Sequence, residues 1–274
     1  MGQHIARYAT AGGATSAIKI HTKLVPDLDR LGQIDRAYCE GVLTRSKNRL
    51  GLVRPLDLVQ FHWWDWSAGD HVAAYRALCS LRHGDGALVS NVGVTNYDAT
   101  HLAELLEQQL PVASNQIQYS LLDGRVEAQM APLCRRHNVK LLCYGVLAGG
   151  FLTDRWLGVP EPSLDGLPNR SLVKYKLIID EFGGWGLFQQ LLTLCRGIAD
   201  GYSGAGVADV AIAYVLGQDV VAVCLPDCCV LLLLFCFFGG RGVMFVAPRL
   251  LRWLISSNAQ LPTSIRPYPR AHAS

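Results

Sequence analysis

Polar side chains stand at or just after the ends of successive apolar runs in this sequence. A lysine, a histidine, side-chain amides and a tyrosine that met in one place would suit the polarisation of a carbonyl group. Each signal is weak alone, because a lysine after a strand is usually solvated and a tyrosine at a strand end usually packs in the core. It is the repeated placement that predicts a site. The residues concerned are Lys23, His62, Thr95, Asn96, Gln116 and Tyr144.

Six apolar runs contain or precede these residues and predict β-strands. Each run is too short and too continuously apolar to be an amphipathic helix, which favours strands buried on both faces of a parallel sheet. The predicted strands are Ile18–Lys23, Leu56–His62, Ala87–Val94, Val112–Gln118, Val139–Tyr144 and Asp219–Val223.

Longer stretches between these runs alternate apolar and polar residues at roughly helical spacing. Asp98 stands where an N-cap belongs, directly before the stretch that begins at Ala99. Strands that alternate with helices predict an α/β fold, either an α/β barrel or a doubly wound parallel sheet. The predicted helices are Asp29–Arg49, Asp70–His83, Ala99–Gln109, Arg125–His137, Leu172–Ile198 and Gly206–Leu216.

A glycine-rich turn distinguishes these two folds. The sequence has no Gly-x-Gly-x-x-Gly turn between a predicted strand and a predicted helix, where dinucleotide-binding doubly wound sheets carry one. Gly201, Gly204 and Gly206 come closest, but they lie between two predicted helices and predict an ordinary connecting loop. The barrel is therefore favoured. In a barrel the carboxyl ends of the strands meet on one face, which carries the active site.

The composition argues against several classes of partner. With 25 Lys and Arg against 22 Asp and Glu, the formal net charge of +3 disfavours nucleic acid and anionic membranes as partners. The nine cysteines are mostly scattered singly and no signal peptide opens the chain, which predicts reduced thiols and an intracellular protein. The opening residues lack acidic side chains and weakly resemble a transit peptide, so cytoplasm and plastid both remain open.

Five segments, in matching order and spacing, resemble motifs of the aldo-keto reductase family. The resemblance covers roughly residues 2–223, in the style of plant and bacterial members with the FHWWD form of the fourth strand. Several independent motifs in register make the match specific. The segments are IHTKLVPD at 20–27, LDLVQFHWWDW at 56–66, VGVTNYD at 92–98, SNQIQYS at 114–120 and CYGVLAGGFL at 143–152.

The resemblance implies a (β/α)8 TIM barrel without a Rossmann turn. Such a barrel binds NADPH (NADP) in extended form and transfers its hydride to an aldehyde or ketone. Lys23 matches the lysine that lowers the pKa of the family's tyrosine acid, and His62 matches the histidine that orients the substrate carbonyl. These two are the implied catalytic residues.

The resemblance also implies cofactor contacts of three kinds: hydrogen bonds to the nicotinamide carboxamide, stacking on the nicotinamide ring, and a segment that follows the pyrophosphate. Together they would fix the face and rotation of the ring, which is catalysis by orientation. In that order the residues are Thr95, Asn96 and Gln116, then Tyr144, then Gly145, Val146 and Leu147.

The sequence departs from the family pattern at both ends. The family's first two strands, with the Asp and Tyr after the second, are expected before residue 1, because residues 2–9 resemble the end of the helix that follows. We therefore expect an incomplete barrel with six of eight strands. Without the family's tyrosine, its general acid, we also expect slow reduction. General acid catalysis is typically worth about 10²–10⁴ in rate. The predicted family domain is 1–223, and 224–274 is a divergent tail.

The tail is predicted to be translated intron or a shifted reading frame. A membrane anchor is disfavoured, because about 20 apolar residues are needed and Pro226 and Asp227 interrupt the run. Another alternative packs the apolar run as a buried strand or helix. No metal site is predicted, because the spacing of the tail cysteines is not a known zinc spacing. Those cysteines are Cys224, Cys228, Cys229 and Cys236.

The expected partner is a small-molecule carbonyl substrate. We expect one of Trp63, Trp64 and Trp66 to reach its pocket, because alternate members of such a run face the core. An alternative function comes from another class: a catalytically inactive NADPH-binding protein or a subunit-interaction protein, since the family also supplies β subunits to potassium channels. A reductase needs a proton donor, whereas a binding subunit does not.

Overall fold

The computed structural model describes residues 19–225. Residues 1–18 and 226–274 lie outside it, and with them nearly all of the predicted tail, including three of the four tail cysteines. Within the described range, no helix is long and apolar enough to cross a membrane.

All six predicted strands are confirmed, with ends that differ by up to three residues. The strands are β1 (His21–Leu24), β2 (Leu56–Phe61), β3 (Val89–Thr95), β4 (Ser114–Gln118), β5 (Lys140–Tyr144) and β6 (Val221–Leu225). The α-helices of the described range are α1 (Arg36–Leu50), α2 (His71–Cys79), α3 (Ala99–Glu107), α4 (Arg125–Ala128), α5 (Met130–His137), α6 (Arg170–Phe182), α7 (Gly184–Ala199) and α8 (Val207–Leu216).

The strands form one sheet in the order β1-β2-β3-β4-β5-β6. The pairings of β1 with β2, β2 with β3, and β3 with β4 are all parallel. Neighbouring strands that follow one another in sequence, with helices between them, form the predicted α/β arrangement. The register places Lys23 opposite Gln60 and Thr95 opposite Gln116.

The chain divides into two compact units. In the described range the first unit holds residues 19–117 and 132–141, and the second holds 118–131 and 142–225. In the first unit, α1 packs against β1 and α2. Leu24, Phe61 and Tyr75 are fully buried in its core. The Tyr75 hydroxyl donates to the Pro111 carbonyl at 2.9 Å, so its polar end is satisfied despite burial.

The second unit has a core of aromatic side chains supported by helices. The α6 helix packs on α7, α7 on α8, and α8 on β6. The centroid of the Trp185 ring lies 5.1 Å from that of the Phe188 ring and 6.0 Å from that of the Phe151 ring. The Trp185 indole N–H donates to the Val159 carbonyl at 2.9 Å, which holds the loop before α6 against this core.

Three of the predicted helices are wrong in extent, because each is interrupted. The predicted helix Leu172–Ile198 is two helices, α6 and α7, separated at Gly183 (φ 134°) and Gly184 (φ 83°). These positive φ values lie outside the right-handed helical region, and glycine adopts them without a steric penalty. The helix Arg125–His137 is likewise α4 and α5, and Asp29–Arg49 is a 3₁₀ turn followed by α1.

Two local predictions are confirmed. The Asp98 side chain accepts a hydrogen bond from the His101 backbone N–H at 2.9 Å, which makes Asp98 the N-cap of α3. Gly201, Gly204 and Gly206 lie between α7 and α8, with a helix rather than a strand before them. They form the predicted connecting loop.

Candidate active site

Lys23 and His62 lie at the carboxyl ends of the neighbouring strands β1 and β2. The His62 backbone N–H donates to the Leu24 carbonyl at 3.0 Å, which fixes His62 beside the end of β1. Burial lowers the pKa of Lys23. Burial also lowers the pKa of His62, and the positive charge of Lys23 lowers it further. Both effects favour the neutral imidazole, a form that offers one N–H and one acceptor nitrogen.

Amide side chains continue this arrangement along β3 and β4. The Asn96 backbone N–H donates to the Gln116 carbonyl at 2.9 Å. The Asn96 side-chain nitrogen lies 3.4 Å from His62 Nε2, which is long for a hydrogen bond. Gln60 Nε2 donates to Gln116 Oε1 at 2.9 Å. The first unit thus brings the candidate catalytic residues and the candidate carboxamide ligands together.

Thr95 contributes a buried hydroxyl to the same unit. Thr95 ends β3 and is 3% exposed. Its Oγ1 has no hydrogen-bond partner among the described residues. An unsatisfied buried hydroxyl costs about 1–3 kcal/mol, so a ligand group that bonds to it would offset that cost. Asn96 follows with φ 57°, a left-handed conformation that asparagine tolerates better than most residues.

The second unit holds the other four predicted residues in one continuous segment. Tyr144 ends β5 and is half-buried, and Gly145, Val146 and Leu147 follow it directly. The side chains of Val146 and Leu147 are buried in the core. Only their backbone is therefore suited to contact a ligand.

Gly145 has a backbone that other residues would not tolerate. Its φ is 71°, and a Cβ placed there would lie 2.7 Å from the Tyr175 hydroxyl and 3.1 Å from Gln118 Cγ. Any side chain would force these neighbours apart, so the segment requires glycine at this point.

The three tryptophans of the loop after β2 differ in their environments. Trp63 is buried and its indole N–H donates to the Asp65 carbonyl at 2.8 Å. Trp64 is 55% exposed and its ring centroid lies 4.1 Å from that of His62. Trp66 stacks on His101. Of the three, Trp64 is the one in contact with a candidate catalytic residue.

Sequence reasoning missed two residues of this arrangement. Gln60 is 4% exposed and bonds Gln116, and it is the single amide within the apolar run of β2. An amide among the buried residues Leu58 to Phe61 was an available signal. Lys174, on α6, lies over the Tyr144 ring at 5.5 Å from its centroid. Nothing in its local sequence sets it apart from other exposed lysines of a helix.

The dinucleotide that the sequence resemblance implies fits each set of residues. In the first unit, the buried Thr95 hydroxyl lacks a partner within the described range, and a carboxamide could supply one. In the second unit, the ring of the half-buried Tyr144 offers a flat face for a nicotinamide, whereas the Cβ position of Gly145 is already filled by Tyr175 and Gln118. Among the described residues no cluster of His, Cys, Asp and Glu is arranged to hold a metal ion.

Comparison with known proteins gives a family match over most of the chain. A model of the aldo/keto reductase family matches residues 2–228. Flagellar radial spoke protein 5 of Chlamydomonas reinhardtii is 29% identical over 171 residues, which are 55% of this chain and 31% of that protein. An uncharacterized oxidoreductase of Schizosaccharomyces pombe is 29% identical over 136 residues, 48% of this chain and 47% of that protein. The chain thus spans less than half the length of these curated relatives.

Solved structures show the same fold. The holo form of aldo-keto reductase AKR11C1 from Bacillus halodurans matches with a TM-score of 0.58 at 20% identity, over 98% of this chain and 73% of that one. Glycerol dehydrogenase AKR11B4 from Gluconobacter oxydans matches with a TM-score of 0.58 at 18% identity, over 88% of this chain and 69% of that one. The predicted fold class, an α/β fold of the aldo-keto reductase type, is confirmed.

Proposed function

The chain belongs to the aldo/keto reductase family, and on this premise we propose that it is an oxidoreductase that binds NADPH and reduces an aldehyde or ketone to an alcohol. The observation that carries the proposal is the group of polar side chains at the carboxyl ends of β1 to β4. There His62, whose pKa is lowered by burial and by Lys23, lies within 3.4 Å of the Asn96 amide, next in sequence to the Thr95 hydroxyl, which has no partner among residues 19–225.

His62 is the residue that holds the substrate oxygen in this proposal. Its contact with Asn96 at 3.4 Å is weak, so a carbonyl oxygen can replace Asn96 as the partner of Nε2, in the tautomer that carries the proton there. Lys23 adds a positive charge near the same point, which favours the negative charge that develops on the oxygen. Trp64 covers the His62 ring and limits its contact with water.

The cofactor would be held by the remaining candidate residues. NADPH would supply the hydride to the carbonyl carbon, and the carbonyl oxygen would take its proton from solvent water. Thr95, Asn96 and Gln116 would bind its carboxamide, and Gln60 holds the Gln116 side chain in place. Tyr144 would offer a flat face for stacking, and the backbone from Gly145 to Leu147 would follow the pyrophosphate. Orientation of this kind accounts for a large part of the rate in reactions between two bound groups.

The first test is a titration of the purified chain with NADPH. Binding to the native state alone must raise the thermal midpoint, and tryptophan fluorescence should be quenched in parallel. The Tyr144→Ala variant should lose both effects, because it removes the stacking face. Tyr38→Ala is the matched control, since Tyr38 is a half-buried tyrosine on α1, outside the candidate site. No quenching and no shift in the unsubstituted chain would contradict the proposal.

A second candidate function is subunit interaction without turnover. The specific support is the similarity to a flagellar radial spoke protein, at 29% identity over 171 residues. A chain that binds NADPH but reduces no member of a panel of aldehydes and ketones would favour this function. Turnover of any member of the panel, abolished in His62→Ala, would favour the reductase.

A further inference from the structure

The α6 helix carries a lysine over the ring proposed to stack on the nicotinamide. Lys174 Nζ lies 5.5 Å from the centroid of the Tyr144 ring and 5.1 Å from that of the Tyr175 ring. At these distances an ammonium over an aromatic face is attracted by the quadrupole of the ring. A positive charge is therefore held close to Tyr144.

The backbone of Lys174 is held in place by the packing of the next residue, Tyr175. Tyr175 is 4% exposed, and its hydroxyl lies 2.7 Å from the position that a Cβ of Gly145 would occupy. Its ring lies 2.8 Å from the position that a Cβ of Gly149 would occupy. Because Tyr175 is packed into the segment after Tyr144, the adjacent Lys174 is held beside that segment while its own side chain stays exposed.

Lys174 also differs from the next lysine of the same helix. Lys176 is buried and forms ion pairs with Glu161 at 2.7 Å and Asp180 at 2.6 Å. Within residues 19–225, no carboxylate forms an ion pair with Lys174. The charge of Lys176 is compensated locally, whereas that of Lys174 is left to act on whatever approaches Tyr144.

We propose that Lys174 is a further contact of the cofactor site and makes the site bind the reduced dinucleotide more tightly than the oxidised one. This inference rests on the proposed function. The oxidised nicotinamide ring carries a positive charge and the reduced ring is neutral, while the phosphates are the same in both. An ammonium held at Tyr144 therefore repels one form of the ring and not the other.

The expected preference is modest. Two unit charges roughly 8 Å apart, at an effective dielectric constant between those of a protein surface and of water, correspond to about a three- to tenfold change in affinity. Such a preference helps a reductase, because the oxidised product dissociates more readily and the reduced cofactor replaces it.

The test compares the dissociation constants of NADPH and NADP⁺ by isothermal titration calorimetry. In Lys174→Gln the ratio of the NADP⁺ constant to the NADPH constant should fall about three- to tenfold, because the repulsion is lost. The ratio is the readout, since a loss of general attraction to the phosphates weakens both forms alike. Lys140→Gln is the matched control, because Lys140 is an exposed lysine at the start of β5 and its loss should leave the ratio unchanged.

The outcomes separate this inference from the proposed function. If the unsubstituted chain binds NADPH and Lys174→Gln leaves the ratio unchanged, the role of Lys174 is overturned and the proposed function stands. If the unsubstituted chain binds neither form, both are overturned. Lys174 is exposed, so the variant should fold, which an unchanged thermal midpoint without cofactor would verify.

Discussion

Two of the tryptophan–histidine contacts in the first unit, Trp66 with His101 and Trp64 with His62, differ in what holds the histidine. In one pair, Trp66 stacks on His101 with ring centroids 3.7 Å apart and an interplanar angle of 14°. His101 Nδ1 lies 2.7 Å from Asp98 Oδ2, and Asp98 also caps α3. The His101 ring is therefore fixed by a carboxylate on one side and an indole on the other.

In the other pair, Trp64 lies on His62 with ring centroids 4.1 Å apart and an interplanar angle of 33°. Among the described residues no carboxylate pairs with His62. Its polar neighbours are Asn96, at 3.4 Å, and the positive charge of Lys23, which adds to burial in lowering the pKa of His62.

A structural histidine and a candidate catalytic one differ in their polar partners. Both rings touch tryptophan, so the aromatic contact does not discriminate between them. The polar partner does, because His101 uses its Nδ1 in a short bond within the fold, whereas the bond of His62 to Asn96 is long. A ring nitrogen in a weak bond is available to a substrate.

The largest expected effect is on the rate of carbonyl reduction. His62→Ala should lower the single-turnover rate by about 10²–10³, the usual cost of removing one hydrogen-bond donor to a developing oxyanion. His101→Ala should leave that rate nearly unchanged, because its polar partner is Asp98. Disappearance of NADPH absorbance in the presence of an aldehyde measures both. Equal losses in the two variants would remove the distinction between the pairs.

The sequence predicted the part of this arrangement that follows from regular structure. Strand ends could be located from apolar runs, so Lys23, His62 and Thr95 were expected at one edge of the sheet, and the N-cap at Asp98 follows from residue type alone. The directions of Trp64 and Trp66 could not be predicted, because they lie in a loop without periodicity. There, side-chain direction depends on packing against His62 and His101.

The break between α6 and α7 is a second feature that the sequence did not predict. Gly183 and Gly184 were visible in the sequence, but glycine within a helical pattern is tolerated at a cost of roughly 1 kcal/mol and does not by itself end a helix. Helix α6 ends because Gly183, the residue directly after it, has a φ of 134°, and the sequence does not reveal this conformation. Lys174 could not be predicted as a neighbour of Tyr144 for a related reason, since α6 reaches Tyr144 only through tertiary contacts.

The second expected effect is on stability and contrasts the two tryptophans. Trp66→Ala should lower the free energy of unfolding by about 2 kcal/mol, because the ring contacts Tyr97 and His71 edge-on besides stacking on His101. Trp64→Ala should cost less than about 1 kcal/mol, since Trp64 is 55% exposed. Urea unfolding of both variants measures the difference. A larger loss from Trp64→Ala would show that its contact with His62 is a structural one.

A smaller effect is expected at the carboxylate that holds His101. Asp98→Ala should lower the free energy of unfolding by about 1 kcal/mol, because α3 loses its N-cap. Asp98→Asn retains the cap and removes the charge beside His101, so it separates the two roles of Asp98. We expect Asp98→Asn to recover most of the loss in urea unfolding. If it is as unstable as Asp98→Ala, the bond to His101 contributes more than the cap.

The smallest expected effect is a change in the pKa of His62, which NMR of its ring protons can follow. Lys23→Met removes a positive charge that disfavours the imidazolium, so the pKa of His62 should rise toward its ordinary value. Burial, the larger cause, remains and keeps the pKa of His62 below that value. Because a lowered pKa in the folded state means that stability is lost as pH falls through the ordinary histidine range, Lys23→Met should also lessen this loss. A fall in the pKa of His62 in this variant would show that Lys23 acts on it through structure rather than through charge.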